Sequence, residues 1–187
     1  TLFPYTTLFR SERNEAFADS IKRLTGENYV ATAEQADAME LGKLYAIQTT
    51  ASTTEGAQYV YCKKLVKNET GERPLYTGYH STVSAFYYGT LIVGDQFDGN
   101  FDGYSALDTN IPLSSLKEPT AFDSPTTFAV ASVIPGWTAA LQLMRAGERW
   151  MLYIPWQSAY GSSGNNDGTI PGYTALTFDL LLERIVE

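Results

Sequence analysis

The spacing of apolar residues near the amino terminus predicts a short amphipathic helix. Phe17, Ile21 and Leu24 recur at i, i+4 and i+7, as they do on one face of a helix. Asn14 stands where an N-cap is expected, and Gly26 stands where helices commonly stop. These signals predict a helix that runs from Asn14 to Leu24.

Further along the chain, runs of Tyr, Val and Ile predict β-strands. The predicted strands cover residues 44–50, 58–66, 81–93 with a break at Gly89, 126–131, 149–155 and 174–186. Helix is predicted at residues 136–144, ended by Gly147, and one or two helical turns could form at residues 33–40. Loops rich in Gly, Asp, Ser, Asn and Pro are predicted at residues 68–74, 94–125 and 159–173. Several strands with one internal helix predict an α+β fold on an antiparallel sheet.

The first eleven residues do not fit this pattern. Residues 1–11, TLFPYTTLFRS, resemble the translated reading frame of a common sequencing adapter, so we expect the biological sequence to begin near Glu12. The alternative is a genuine disordered tail. On the first interpretation, any signal peptide or lipoprotein cysteine stood in the part that was lost. Residues 12–42 are then a helical extension that precedes the main domain, residues 43–187.

Charge and composition exclude several classes of function. The formal net charge is −8, and from residue 76 onward four basic residues face eleven acidic ones, which disfavours nucleic acid and anionic lipid as partners. With one cysteine and one histidine, the chain can form neither an intrachain disulfide nor a Cys/His metal site. His80 is expected at a strand entrance in a structural role, and Cys62 is expected to be a small buried hydrophobic residue.

Five short motifs occur in an order that is specific to one family. They are YYG at 87–89, FD at 97–98, VIPGWTAALQLMRAGERW at 133–150, AYG at 159–161 and IPGYTALTFDLLL at 170–182. Together they resemble the FKBP-type peptidyl-prolyl cis/trans isomerases, and most closely the bacterial, macrophage-infectivity-potentiator-like branch. The resemblance is best over residues 76–187 and leaves an insertion at 99–125. It implies an antiparallel sheet curled around one short helix.

The resemblance also implies the residues of a site. The implied catalytic residues are Tyr87, Asp98, Ile134, Trp137 and Tyr160, and the implied substrate-binding residues are Phe97, Phe128, Val133, Ile170 and Phe178. Trp137 would form the floor under a proline ring, and the Ile134 N–H and Tyr160 hydroxyl would hold substrate carbonyls. Asp98 would either orient Tyr87 or meet the rotating carbonyl. The alternative for Phe178 is ordinary core packing, and for Asp98 it is a solvated turn.

The implied function is isomerisation of Xaa-Pro bonds, with proline-containing polypeptides as substrates and macrolides as inhibitors. Because no covalent bond is broken, this reaction needs no nucleophile, metal or cofactor. The resemblance implies the bacterial cell envelope, either the periplasm or an outer membrane that the protein reaches through a lost lipid anchor. The alternative is a weakly catalytic binding or chaperone module that uses the same pocket together with the 99–125 insertion.

A fragment of a calcium-loop pattern lies inside the insertion. Residues 98–103 read D-x-N-x-D-G, which matches the first half of such a loop. The twelfth position is Thr109 rather than glutamate, and no flanking helices are predicted. We therefore interpret the segment as a solvated acidic loop.

Overall fold

The computed structural model describes residues 3–74 and 81–186, apart from the side chains of residues 3–7 and Ser52. His80 lies outside the described residues. The helices are α1 (Phe3–Thr25), α2 (Ala33–Asp37) and α3 (Pro135–Leu141), with short 3-10 turns at Val130–Ser132 and Trp156–Ser158. The strands are β1 (Leu44–Thr53), β2 (Gly56–Val66), β3 (Thr82–Leu91), β4 (Gln96–Gly99), β5 (Thr126–Ala129), β6 (Arg149–Ile154) and β7 (Leu176–Ile185).

All seven of these strands join one antiparallel sheet. The strand order is β1-β2-β6-β7-β3-β4, and β5 also pairs with β3. The outer edge of β3 is therefore shared, because β5 pairs with residues 82–85 and β4 with residues 88–90. The predicted α+β fold is confirmed.

The main core lies between one face of the sheet and α3. Alternate residues of β6 and β7 face this side, and six of them are fully buried: Trp150, Leu152, Ile154, Leu176, Leu180 and Leu182. Cys62 belongs to the same core and is fully buried, as predicted. The burial of these apolar side chains is what holds α3 against the sheet.

The other face of the sheet carries a second apolar cluster. Met151 and Tyr153 of β6 lie there beside Tyr61, and Phe17 and Ile21 of α1 pack against them. The 99–125 insertion contributes its own side chains to this cluster, namely Tyr104, Ile111 and Leu116. Both faces of the central strands are therefore covered.

Helix α1 is longer than predicted, because it begins well before Asn14. Asn14 is not an N-cap but a buried residue inside the helix, 4% exposed. Its Nδ2 donates to the Arg10 carbonyl at 2.9 Å, and its Oδ1 accepts the Ala175 N–H at 2.8 Å. The second bond ties the helix to the sheet next to β7. The predicted stop at Gly26 is confirmed, because this residue adopts a left-handed φ of 61° that favours glycine.

A buried ion pair fastens the insertion to the sheet. Arg149 of β6 donates from Nε and Nη2 to the two carboxylate oxygens of Asp179 on β7, at 2.8 and 2.6 Å. The side chains of Arg149 and Asp179 are 1% and 0% exposed. From the insertion, the Tyr104 N–H donates to Asp179 and the Lys117 carbonyl accepts from Arg149. Phe101 and Tyr104 also place their rings against the guanidinium.

A second charge cluster joins α2 to the loop before β3. Asp37 accepts hydrogen bonds from the guanidinium groups of Arg145 and Arg73. The bonds from Arg145, and then those from Arg73, hold the pKa of Asp37 well below its usual range.

None of the helices in the described ranges is long and apolar enough to cross a membrane.

Strand β3, strand β4 and helix α3 differ from the sequence prediction. Strand β3 runs through Gly89 without a break, because the missing side chain leaves room for the rings of Phe178 and Phe97. Strand β4 was not predicted, since four residues at a sheet edge give too weak a pattern. Helix α3 ends at Leu141 rather than at Met144, and a turn follows it.

Candidate active site

The indole of Trp137 lies at the start of α3. Pro135 occupies the first turn of the helix, where its missing N–H is not needed. A Cβ on Gly136 would lie 2.7 Å from Ile154 of β6, so glycine lets the helix approach the sheet closely. The Ile134 carbonyl accepts the N–H groups of Trp137 and Thr138 at 2.9 and 3.1 Å. These contacts fix the backbone that carries the indole, which is 3% exposed.

Three aromatic rings meet the indole edge-on. The ring centroids of Phe128, Phe178 and Tyr87 lie 5.1, 5.1 and 5.4 Å from that of Trp137. The interplanar angles are 70–83°, which is the favoured T-shaped arrangement. Phe97 meets Phe178 in the same way at 5.4 Å. Residues from β3, β4, β5, α3 and β7 thus converge on one apolar cluster.

A tyrosine–carboxylate pair lies at the edge of this cluster. The Tyr87 hydroxyl donates to Asp98 Oδ1 at 3.0 Å, and the same oxygen accepts the Gly99 N–H at 2.8 Å. Tyr87 is 9% exposed, whereas Asp98 is exposed. Burial first, and then the bond to Asp98, raises the pKa of Tyr87 above its ordinary value. The hydroxyl is therefore protonated at neutral pH and aimed at the carboxylate.

The remaining predicted residues are three apolar side chains in or against the main core and one partly exposed tyrosine. Ile170 is buried in the core, and Val133 and Ile134 are partly buried against it. Tyr160 is 40% exposed. Burial, followed by the negative charge of Asp98, raises the pKa of Tyr160. Eight of the ten predicted residues therefore lie in or against the main core, Asp98 is bonded to one of them, and Tyr160 is partly exposed at the surface.

The comparison with known families agrees with this geometry. A family model described as FKBP-type peptidyl-prolyl cis-trans isomerase matches residues 77–183, more than half of the chain. This chain belongs to the FKBP-type peptidyl-prolyl cis-trans isomerase family. All five motifs and all ten predicted site residues lie within the matched range.

Individual relatives match parts of the chain. The macrophage infectivity potentiator of Trypanosoma cruzi is 52% identical over 76 residues, which cover 37% of this chain and 38% of that protein. The outer membrane protein MIP of Legionella longbeachae is 40% identical over 106 residues, which cover 57% of this chain and 34% of that protein. The chain thus spans well under half of these relatives.

A solved structure shows the same fold. It is the crystal structure of a peptidyl-prolyl cis-trans isomerase from Pseudomonas syringae, with 30% sequence identity and a TM-score of 0.51. The match covers 68% of this chain and 76% of that one. The FKBP-type assignment therefore stands on sequence and on structure.

The sequence interpretation of residues 98–103 needs correction. Phe101 is 5% exposed and packs against the sheet, whereas Asp98 and Asp102 are exposed, so only the acidic side chains of the segment are solvated. A Cβ on Gly103 would lie 2.8 Å from the Asp179 carboxylate, which explains the glycine there without a metal. Sequence reasoning also missed Asn100, whose side chain is bound to β3. The only signal for it was its place two residues after Asp98.

Proposed function

We propose that the protein accelerates rotation about Xaa-Pro peptide bonds in other polypeptides. The uncatalysed barrier is about 18–20 kcal/mol, because amide resonance is lost in the twisted form. The twisted amide has a less polarised carbonyl than the planar one. A water-poor apolar surface therefore disfavours the twisted form less than water does, and each ~1.4 kcal/mol of preference gives a tenfold gain in rate.

The observation that carries this proposal is the enclosure of Trp137 by three edge-on aromatic rings. In the proposed role, the Trp137 indole is the floor under a prolyl ring, with Phe97 and Phe178 as walls. The Tyr160 hydroxyl and the Ile134 N–H are the donors that we assign to the substrate carbonyls. Asp98 is assigned the task of orienting Tyr87, which is supported by the 3.0 Å bond between them.

The chaperone alternative is less well supported. It requires the 99–125 insertion to offer a surface for unfolded chains. Most of its apolar side chains are instead committed to the second face of the sheet, opposite α3, where they enclose Arg149. The exceptions are Leu107, Leu113 and Phe122, which are 63%, 39% and 98% exposed. Exposed apolar side chains that occur singly are normal on a protein surface and do not by themselves make a chain-binding surface.

The cell envelope is the compartment that we propose. The support is the name of the Legionella longbeachae relative, an outer membrane protein. We further propose that residues 1–11 derive from an adapter, which resequencing of the source DNA would test. The same aromatic site is proposed to take macrolide inhibitors, and inhibition of peptide turnover by a macrolide would test that.

Peptide isomerisation tests the central proposal. The rate of cis-to-trans exchange in an Xaa-Pro tetrapeptide should rise with enzyme concentration, and Trp137→Ala should remove most of the acceleration. Tyr160→Phe should lower kcat/KM by about tenfold, since one hydrogen bond in the transition state is lost. Tyr59→Phe, on the other face of the sheet, is the matched control and should leave the rate unchanged. A wild-type protein without any acceleration would overturn the proposal.

A further inference from the structure

Strand β3 changes partner on its outer edge directly beside the predicted active-site tyrosine. Residues 82–85 pair with β5 and residues 88–90 pair with β4, so Phe86 and Tyr87 have no strand partner on that side. An extended backbone whose N–H and C=O point into such a gap needs other hydrogen-bond partners. The partner for Tyr87 comes from one residue, Asn100, which follows the last residue of β4.

Asn100 bonds Tyr87 in both directions. The Tyr87 N–H donates to the side-chain Oδ1 of Asn100 at 2.9 Å, and the Asn100 N–H donates to the Tyr87 carbonyl at 2.9 Å. The side-chain oxygen thus accepts the bond that a neighbouring strand would otherwise accept. These bonds hold Tyr87 in a fixed register with β4, which also carries Asp98.

The amide nitrogen of Asn100 reaches the other strand. Nδ2 donates to the Ala85 carbonyl and to the Thr126 hydroxyl, each at 3.0 Å. Ala85 pairs with Thr126 at the start of β5, and β5 carries Phe128. One planar amide therefore fills the gap between β4 and β5 and uses both its acceptor and its donor to do so.

We infer that Asn100 is a positioning residue that fixes Tyr87 against Phe128 and Asp98 by filling the gap between β4 and β5. The inference rests on the proposed isomerase function for its effect on rate. Tyr87 and Phe128 meet edge-on with centroids 5.4 Å apart, and both contact Trp137. A shift of β3 or of β5 would therefore move one of the three rings that enclose the indole.

The oxygen and nitrogen ends of the amide can be tested separately. Asn100→Asp preserves the shape and the acceptor for the Tyr87 N–H, but it loses both donated bonds and places a carboxylate beside the Ala85 carbonyl. Asn110→Asp is the matched control, because it adds the same charge to an exposed position of the same insertion. We expect kcat/KM to fall by about tenfold for Asn100→Asp, mainly through kcat, and to stay within about twofold for the control.

A second pair of variants covers the case in which Asn100→Asp fails to fold. Thr126→Val removes only one of the donated bonds and should lower kcat/KM by about two- to threefold. Thr127→Val, at the next and likewise exposed position of β5, should leave it unchanged. Equal rates for the two threonine variants would overturn the inference.

A signal that does not depend on activity separates this inference from the proposed function. The NMR resonances of the Tyr87 ring and of the Trp137 indole N–H should shift in Asn100→Asp and stay in place in Asn110→Asp. If Asn100→Asp lowers the unfolding midpoint but leaves both resonances and kcat/KM unchanged, Asn100 only stabilises the fold and the inference is wrong. If the wild type is inactive while the resonances shift, the proposed function fails and the positioning role stands.

Discussion

Replacing Asp179 by alanine is expected to destabilise the protein strongly, because it leaves Arg149 charged and buried without its carboxylate. Removing one partner of a buried ion pair typically costs about 3–5 kcal/mol. Here the guanidinium loses bonds of 2.8 and 2.6 Å, and the Tyr104 N–H loses its acceptor at 2.9 Å. The Lys117 carbonyl and two aromatic rings remain in contact with the guanidinium. We therefore expect a loss nearer about 3 than about 5 kcal/mol.

Urea unfolding followed by tryptophan fluorescence measures this loss. With a slope of about 2 kcal/mol per M, the midpoint should fall by about 1.5 M. Asp102→Ala is the matched control, since that side chain is 81% exposed and should change the unfolding free energy by less than about 0.5 kcal/mol. The pair Arg149→Met with Asp179→Leu should recover most of the stability, because apolar residues replace both charges.

Two results would refute this reasoning. One is a midpoint shift of less than about 0.3 M for Asp179→Ala, which would mean that water reaches the guanidinium and solvates it. The other is a double variant less stable than Asp179→Ala alone, which would mean that the pair contributes more than its burial costs.

Three further predictions concern other parts of the molecule. Asp37→Asn should make the free energy of unfolding depend less on pH at acid pH. The lowered pKa makes the Asp37 carboxylate stabilising above about pH 4, and that contribution is lost as the pH falls. Urea midpoints between pH 6 and pH 2 measure this, and equal slopes in both proteins would contradict it. Asn14→Ala should raise the hydrogen-exchange rate of the Ala175 amide, whose acceptor it removes; unchanged protection would show that the bond is dispensable. Gly89→Ala should lower peptide turnover by about tenfold, because its Cβ would lie 2.7 Å from the Phe178 ring, and turnover within about twofold of the wild type would refute this.

Local pattern was enough to predict the core strands and α3. Strands β6 and β7 carry unbroken or alternating apolar runs, and the Pro-Gly-Trp sequence marks the start of α3. The family motifs then identified the residues around Trp137. The strands and the helix are features that neighbouring residues in the sequence determine, so a single sequence is sufficient to show them.

Long-range contacts account for what the sequence could not show. Asn14 looked like an N-cap because its spacing to the apolar face was right, yet its side chain serves Ala175, 161 positions away. Asn100 looked like part of a solvated loop, yet its bonds depend on where β3 exchanges one partner strand for another. Neither contact leaves a periodic pattern, so only the assembled sheet reveals it.

The buried thiol of Cys62 can be used to measure how often the sheet opens. Cys62 is the single cysteine of the chain, and its side chain is wholly enclosed in the main core. Burial raises the pKa of this thiol well above its ordinary value, so the thiolate that reacts with alkylating reagents is scarce in the closed protein. The Cys62 thiol can therefore be labelled only when β2 separates from the strands beside it. The rate of labelling in the native protein, with no mutation needed, then reports how often this opening occurs.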